Sequence, residues 1–171
     1  MRLPRVAVAY WSDREFATGD IDVVMPRPAE LSERLEVLGF KKEGREWTLP
    51  GYDVAFEVPG EALEPGDKAE PITLPSGRRV LILSPEDMLL WRLREWIHWH
   101  SAAGFKQASY LLIAEELDSE RLDQRADEES LTPALAELRK LTAEIEKGRH
   151  YEDWELAEIA REIKGDHLES N

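Results

Sequence analysis

Thr18-Gly19-Asp20-Ile21-Asp22-Val23-Val24 is the stretch on which the fold turns. Read as a strand, it sends alternate side chains to one face. Asp20 and Asp22 then project together, while Ile21 and Val23 point into the opposite layer. Two carboxylates about 7 Å apart on one strand face suit a hard divalent cation such as magnesium. Such an ion takes oxygen ligands from the protein and phosphate oxygens from a substrate. A third carboxylate would complete a two-metal site. Tyr52-Asp53-Val54-Ala55-Phe56-Glu57-Val58, read as a second strand, offers Asp53 and Glu57 on one face. The small Ala55 between them leaves room for a ligand. The plain alternative is that Asp-x-Asp marks a solvated strand end, that Asp53 starts a strand, and that Glu57 is an edge residue.

Outward from this segment the chain divides in two. Residues 1–84 hold eight of the ten prolines and seven of the ten glycines, so turns break them into short segments. Strands are expected at Ile21–Met25 and Tyr52–Val58. Hairpins are expected from Phe40–Glu43 with Glu46–Leu49, turning at Gly44, and from Ile72–Leu74 with Arg79–Leu83, turning at Ser76-Gly77. Ala29–Leu38 reads as a helix with Leu31, Leu35 and Leu38 on one face, closed by Gly39. Val6–Tyr10 fits either a strand or a short helix. Residues 85–171 are rich in Leu, Ala, Glu and Arg, which predicts helices over 85–102, 105–117, 119–129, 133–147 and 152–164, with a frayed tail from Gly165 to Asn171. The fold class expected is α+β: a mixed sheet in 1–84 and a helical bundle in 85–171.

Composition narrows the function classes. The 171 residues carry 22 Lys plus Arg against 36 Asp plus Glu, a net charge of -14. That argues against an extended nucleic-acid surface, which needs a basic face to displace counterions. It leaves room for a small nucleotide held through metal ions. With no Cys there is no disulfide, thiolate zinc site or cysteine nucleophile. No apolar run reaches the ~20 residues of a membrane helix. Met1 to Trp11 lacks the apolar core and cleavage site of a signal peptide, so a cytoplasmic protein is expected.

Arg14-Glu15-Phe16-Ala17-Thr18-Gly19-Asp20-Ile21-Asp22 resembles the Arg-x-x-x-Thr-x-Asp-Ile-Asp segment of the nucleotidyltransferase superfamily, the polymerase-beta-like fold. The nearest branch is that of small bacterial proteins related to minimal nucleotidyltransferases and abortive-infection toxin–antitoxin systems. Leu35 to Trp47 is similar to that branch's helix and hairpin after the Asp pair. Asp53 to Pro59 is similar to its third-carboxylate strand. Ser84-Pro85-Glu86-Asp87 is similar to the start of its next helix. The resemblance covers roughly residues 5–115.

It implies a sheet core of that family in 1–84 and transfer of a nucleoside monophosphate from a nucleoside triphosphate, with pyrophosphate released. Asp20, Asp22 and Asp53 match the catalytic carboxylates and weakly held magnesium or manganese ligands, with Glu57 as the alternate third ligand. Arg14, Thr18 and Arg92 are matched to the nucleotide. One departure stands out. Pro4-Arg5 occupies the place of the family's Gly-Gly or Gly-Ser motif, where backbone N–H groups approach the triphosphate, and Pro has no N–H to give. Either the start lies upstream of Met1, or the chain is a non-catalytic module of the same fold, such as the regulatory partner in a toxin–antitoxin-like pair.

Arg78-Arg79 is a solvated turn. Arg92 and Arg94 pair with Glu95 or Asp87 unless one faces the carboxylates. Trp91, Trp96 and Trp99 form core or a homodimer face. His98 and His100 point about 200° apart on a helix, which disfavours zinc. Asp127-Glu128-Glu129 is a solvated acidic run.

Overall fold

The computed structural model describes residues 20–74 and 76–169, the side chains of Asp20 and of residues 166–169 excepted. The expectations for Pro4-Arg5, Val6–Tyr10, Arg14 and Thr18 lie outside the described residues. The chain is mixed α/β, with six helices, a mixed four-stranded sheet and a two-stranded sheet among the described residues. It forms two compact units, dividing between Lys68 and Ala69.

The first unit contains β1 (Asp20–Asp22), α1 (Leu31–Val37), β2 (Lys41–Glu43), β3 (Glu46–Thr48) and β4 (Ala55–Glu57). The strand order is β1-β4-β3-β2. β1 lies parallel to β4, and β4–β3 and β3–β2 are antiparallel. Gly44, at φ 67°, makes the β2–β3 turn in a conformation that L side chains rarely adopt. α1 buries Leu35 and ends where Gly39 takes φ 93°, as the Gly39 signal predicts. The helix is shorter than Ala29–Leu38, and Leu38 is 69% exposed rather than part of the buried face. Trp47 is buried and meets Phe56 edge-on at 6.1 Å.

The second unit opens with the hairpin β5 (Ala69–Thr73) and β6 (Arg79–Leu83), turning at Gly77 with φ 79°. The sequence division is drawn after Ser84, whereas the compact units group this hairpin with the helices. Those helices are α2 (Pro85–Trp99), α3 (Ala102–Ala114), α4 (Ser119–Glu128), α5 (Thr132–Glu146) and α6 (Asp153–Glu169). α6 is helical through residues 165–169, where fraying is expected from the sequence.

Local chemistry sets the helix ends. Ser84 caps α2 by accepting a hydrogen bond from the Asp87 N–H at 3.3 Å, and Pro85 occupies the first turn, where a missing N–H costs nothing. α2 stops because His100 turns left-handed, at φ 54°. Ser101 then caps α3 by accepting from the Gly104 N–H at 3.1 Å.

α2 and α3 pack closely because Gly104 has no side chain. A Cβ there would stand 2.8 Å from the Arg92 carbonyl oxygen and 3.0 Å from the Trp96 nitrogen. Trp96 is fully buried, lies edge-on to Phe105 at 4.9 Å, and donates its indole N–H to the Leu156 carbonyl at 2.7 Å. That bond satisfies the polar atom of the largest core side chain while tying α2 to α6. Trp91 is buried beneath the Arg94 guanidinium at 4.5 Å. Trp99 is 58% exposed, so the three tryptophans do not form one continuous face.

Candidate functional site

The backbone brings the two carboxylate-bearing strands side by side. β1 and β4 are neighbours, with Asp20 opposite Ala55, Ile21 opposite Phe56 and Asp22 opposite Glu57. Partners in register share a sheet face, and adjacent strands run about 4.8 Å apart. Asp22 and Glu57 are therefore lateral neighbours on one face. The pairing continues past the strand ends: the Val23 N–H donates to the Glu57 carbonyl at 2.9 Å, and the Met25 N–H to the Gly60 carbonyl at 3.1 Å. The Arg27 guanidinium donates to the Val58 carbonyl, fixing the chain after β1 to the residue that follows Glu57.

The register carries the row further than β1 and β4. Glu57 stands opposite Glu46 on β3, and Glu46 opposite Glu43 on β2. One face thus bears Asp22, Glu57, Glu46 and Glu43 across all four strands. The parallel row one step away holds the positions of Asp20, Ala55, Thr48 and Lys41. Asp22, Glu57 and Glu46 are half-buried, and Glu43 is exposed. Glu46 and Glu43 escaped the sequence reading. The hairpin turn at Gly44 with period-two alternation would have found them, once β3 was known to pair with β4.

Asp53 is placed differently from Glu57. β4 begins at Ala55, so the alternation does not extend to Asp53, which lies exposed in the preceding bend. Of the two candidates for a third carboxylate, Glu57 is the one in the ladder beside Asp22. Among the described residues no three carboxylate, imidazole or thiol side chains converge as a ready-made metal cage; the Asp20 side chain is not among those described.

Arg92 lies in the second unit. It is 1% exposed and bonds Glu95 through Nη1 at 2.7 Å, the pairing that its helix spacing predicts. Nearby, Asp87 is fully buried. It accepts from the Ser84 hydroxyl at 2.9 Å, pairs with Arg121 Nη2 at 2.5 Å and lies 3.5 Å from Arg125 Nε. Arg125 reaches on to Glu129 at 2.6 Å, and Glu129 to Arg94 Nε at 3.2 Å. Glu129 is therefore turned inward into an ion-pair network, in contrast to the solvated run read from Asp127-Glu128-Glu129. Glu86 joins the same network at 3.7 Å from Arg121 Nη1 and also accepts from the Asp118 N–H at 3.0 Å.

No family model, no curated protein and no solved structure matches the chain. Among the described residues no helix is long and apolar enough to cross a membrane.

Proposed function

We propose that this is a nucleotidyltransferase-like protein in which the β1–β4 carboxylates hold a divalent cation and, through it, the phosphates of a nucleoside triphosphate. The observation that carries the reading is the register of Asp22 opposite Glu57 on adjacent parallel strands. The donor set fits: carboxylate oxygens are what magnesium and manganese take. Asp22 and Glu57 would hold the cation with Asp20, whose register partner is the small Ala55. Bound there, the cation would neutralise charge on the triphosphate. The reaction forms a bond from an acceptor oxygen to the α-phosphorus and breaks the bond to the β-phosphate oxygen. Pyrophosphate leaves, and the acceptor proton passes to a carboxylate of the row.

A second reading rests on one specific feature. In the sequence, Pro4-Arg5 stands where the resembled family has Gly-Gly or Gly-Ser, and Pro4 has no backbone N–H to offer a triphosphate, which favours a non-catalytic module that meets a partner protein or a second copy of itself. Val37 and Leu38, 82% and 69% exposed on the first unit, give that reading apolar surface to work with.

Isothermal titration of MgCl2 or MnCl2, alone and with ATP, separates the two. The enzyme reading expects metal-dependent heat that disappears in Asp20→Ala plus Asp22→Ala. No metal-dependent heat in the parent protein removes that reading and leaves the module.

A further inference from the structure

The seam between α5 and α6 is not closed. Along α6, Leu156 and Ala160 are buried, whereas Ile159 and Ile163, one turn apart on the same stripe, remain half-exposed. With the buried Leu141 of α5 they floor a groove of about 510 Å³. A second depression of about 210 Å³ shares Arg149, Tyr151, Ile159 and Glu162 with the first and runs on to Trp154, which is 65% exposed. The opening is thus elongated along the helices, a shape that suits a chain segment better than a compact small molecule.

Its rim is strongly acidic. Glu137 and Glu144 stand on the α5 side, and Glu155, Glu158 and Glu162 on the α6 side. Lys140 and Arg149 are the two cations, and Glu137 already holds Lys140 at 2.9 Å. Arg149 lies over the Tyr151 ring at 4.7 Å, and Tyr151 donates to Glu144. The groove therefore already accepts one guanidinium, flanked by an aromatic face and a carboxylate.

We propose that the α5–α6 groove docks a basic amphipathic helix of a partner protein. Two aliphatic side chains one turn apart would enter against Leu141, Ile159 and Ile163. Lys or Arg side chains would meet Glu155, Glu158 and Glu162. The charge balance of the rim, five carboxylates against two cations, selects a basic partner over an acidic one. This inference is independent of the metal-site reading, since every residue in it belongs to the second unit.

The test uses the full chain and three fluorescein-labelled synthetic peptides. One is a Leu/Lys amphipathic helix, one has the same Leu stripe with Glu in place of Lys, and one has the Leu/Lys composition with the stripe scrambled. Fluorescence anisotropy is expected to show binding of the first alone, weakening as salt rises. Glu158→Lys plus Glu162→Lys is expected to raise its Kd by about tenfold or more, because each change replaces an attracting rim carboxylate by a repelling ammonium. Glu33→Lys plus Glu36→Lys changes net charge equally at exposed positions of α1 and is expected to leave Kd within about twofold. Ile159→Gln weakens binding with no change of charge. Circular dichroism melts confirm that each variant is folded. Equal losses in the two double variants would reduce the effect to attraction by bulk charge and overturn the proposal. So would binding of the scrambled peptide, or no binding of the Leu/Lys helix.

Discussion

Replacing Glu57 by Gln is expected to make the first unit more stable without metal and indifferent to it. Glu57 sits opposite two carboxylates on the same sheet face, Asp22 on one side and Glu46 on the other. Cross-strand pairs contribute roughly 0.2–1 kcal/mol each, and like charges directly opposite act against folding. All three positions are half-buried, so solvent screens part of the repulsion. Removing both contacts is then worth about 0.5–1 kcal/mol. The cation term runs the other way. At a free metal concentration tenfold above Kd, a site present only in the folded state gains about 1.4 kcal/mol. In the parent protein MgCl2 is expected to reverse the cost of the row, whereas Glu57→Gln loses most of that gain. Amide hydrogen exchange across residues 20–22 and 55–57 reads the first unit alone, as protection free energy with and without MgCl2. Lower protection in the metal-free variant, or equal metal stabilisation of parent and variant, would refute the reasoning.

Two further outcomes follow from the second unit. Gly104→Ala puts a Cβ 2.8 Å from the Arg92 carbonyl oxygen and 3.0 Å from the Trp96 nitrogen, both backbone atoms of a packed helix. Overpacking of ~1–3 kcal/mol outweighs a propensity gain below ~1 kcal/mol, and thermal melting is expected to fall by about 2–8 °C. Glu115 is held above the usual carboxylate range by burial first, and then by the charges of Glu70 and Glu86. Its charged form is disfavoured on folding, so Glu115→Gln is expected to raise the urea midpoint at neutral pH. The gain shrinks as pH falls through the raised value and is lost below the ordinary 4.5, where the parent carboxylate is protonated in both states. A gain that persists unchanged below that value would contradict the assignment.

Short-range signals proved the most legible. Gly44 and Gly77 mark hairpin turns because each needs a positive φ, and Gly39 ends α1 for the same reason. The Ser84-Pro85 pair announces the start of α2 through capping and the missing N–H. What the sequence did not disclose is lateral. A period of two says that Asp20 and Asp22 share a face, but not which strand lies beside them. The whole length of Tyr52–Val58 reads as a strand, yet only Ala55–Glu57 forms a ladder. Glu57 thereby becomes a neighbour of Asp22 while Asp53 stays in a bend. Glu46 and Glu43 were invisible for the same reason, since only the β4–β3–β2 pairing aligns them with Glu57. In the helical half, charge runs hid their inward members. Glu129 reads like Asp127 and Glu128 until Arg94 and Arg125 are seen to reach it.

The motifs behind the resemblance do not carry equal weight for chemistry. Ser84-Pro85-Glu86-Asp87 has a complete structural account of its own. Ser84 caps the helix, Pro85 fits its first turn, and Glu86 and Asp87 anchor α4 through the Asp118 N–H and Arg121. Removing one partner from such a buried pair costs about 3–5 kcal/mol, which is reason enough for those residues to stand together without a substrate. Arg92 is likewise accounted for by Glu95. Leu35 to Trp47 supplies a helix, a tight turn and a buried indole, all of which serve packing. The Asp22–Glu57 row is different. Its register sets Asp22, Glu57 and Glu46 side by side at half-buried positions of one sheet face. The enzyme reading therefore stands on that sheet face alone, and the metal titration addresses it with no contribution from the rest of the motif set.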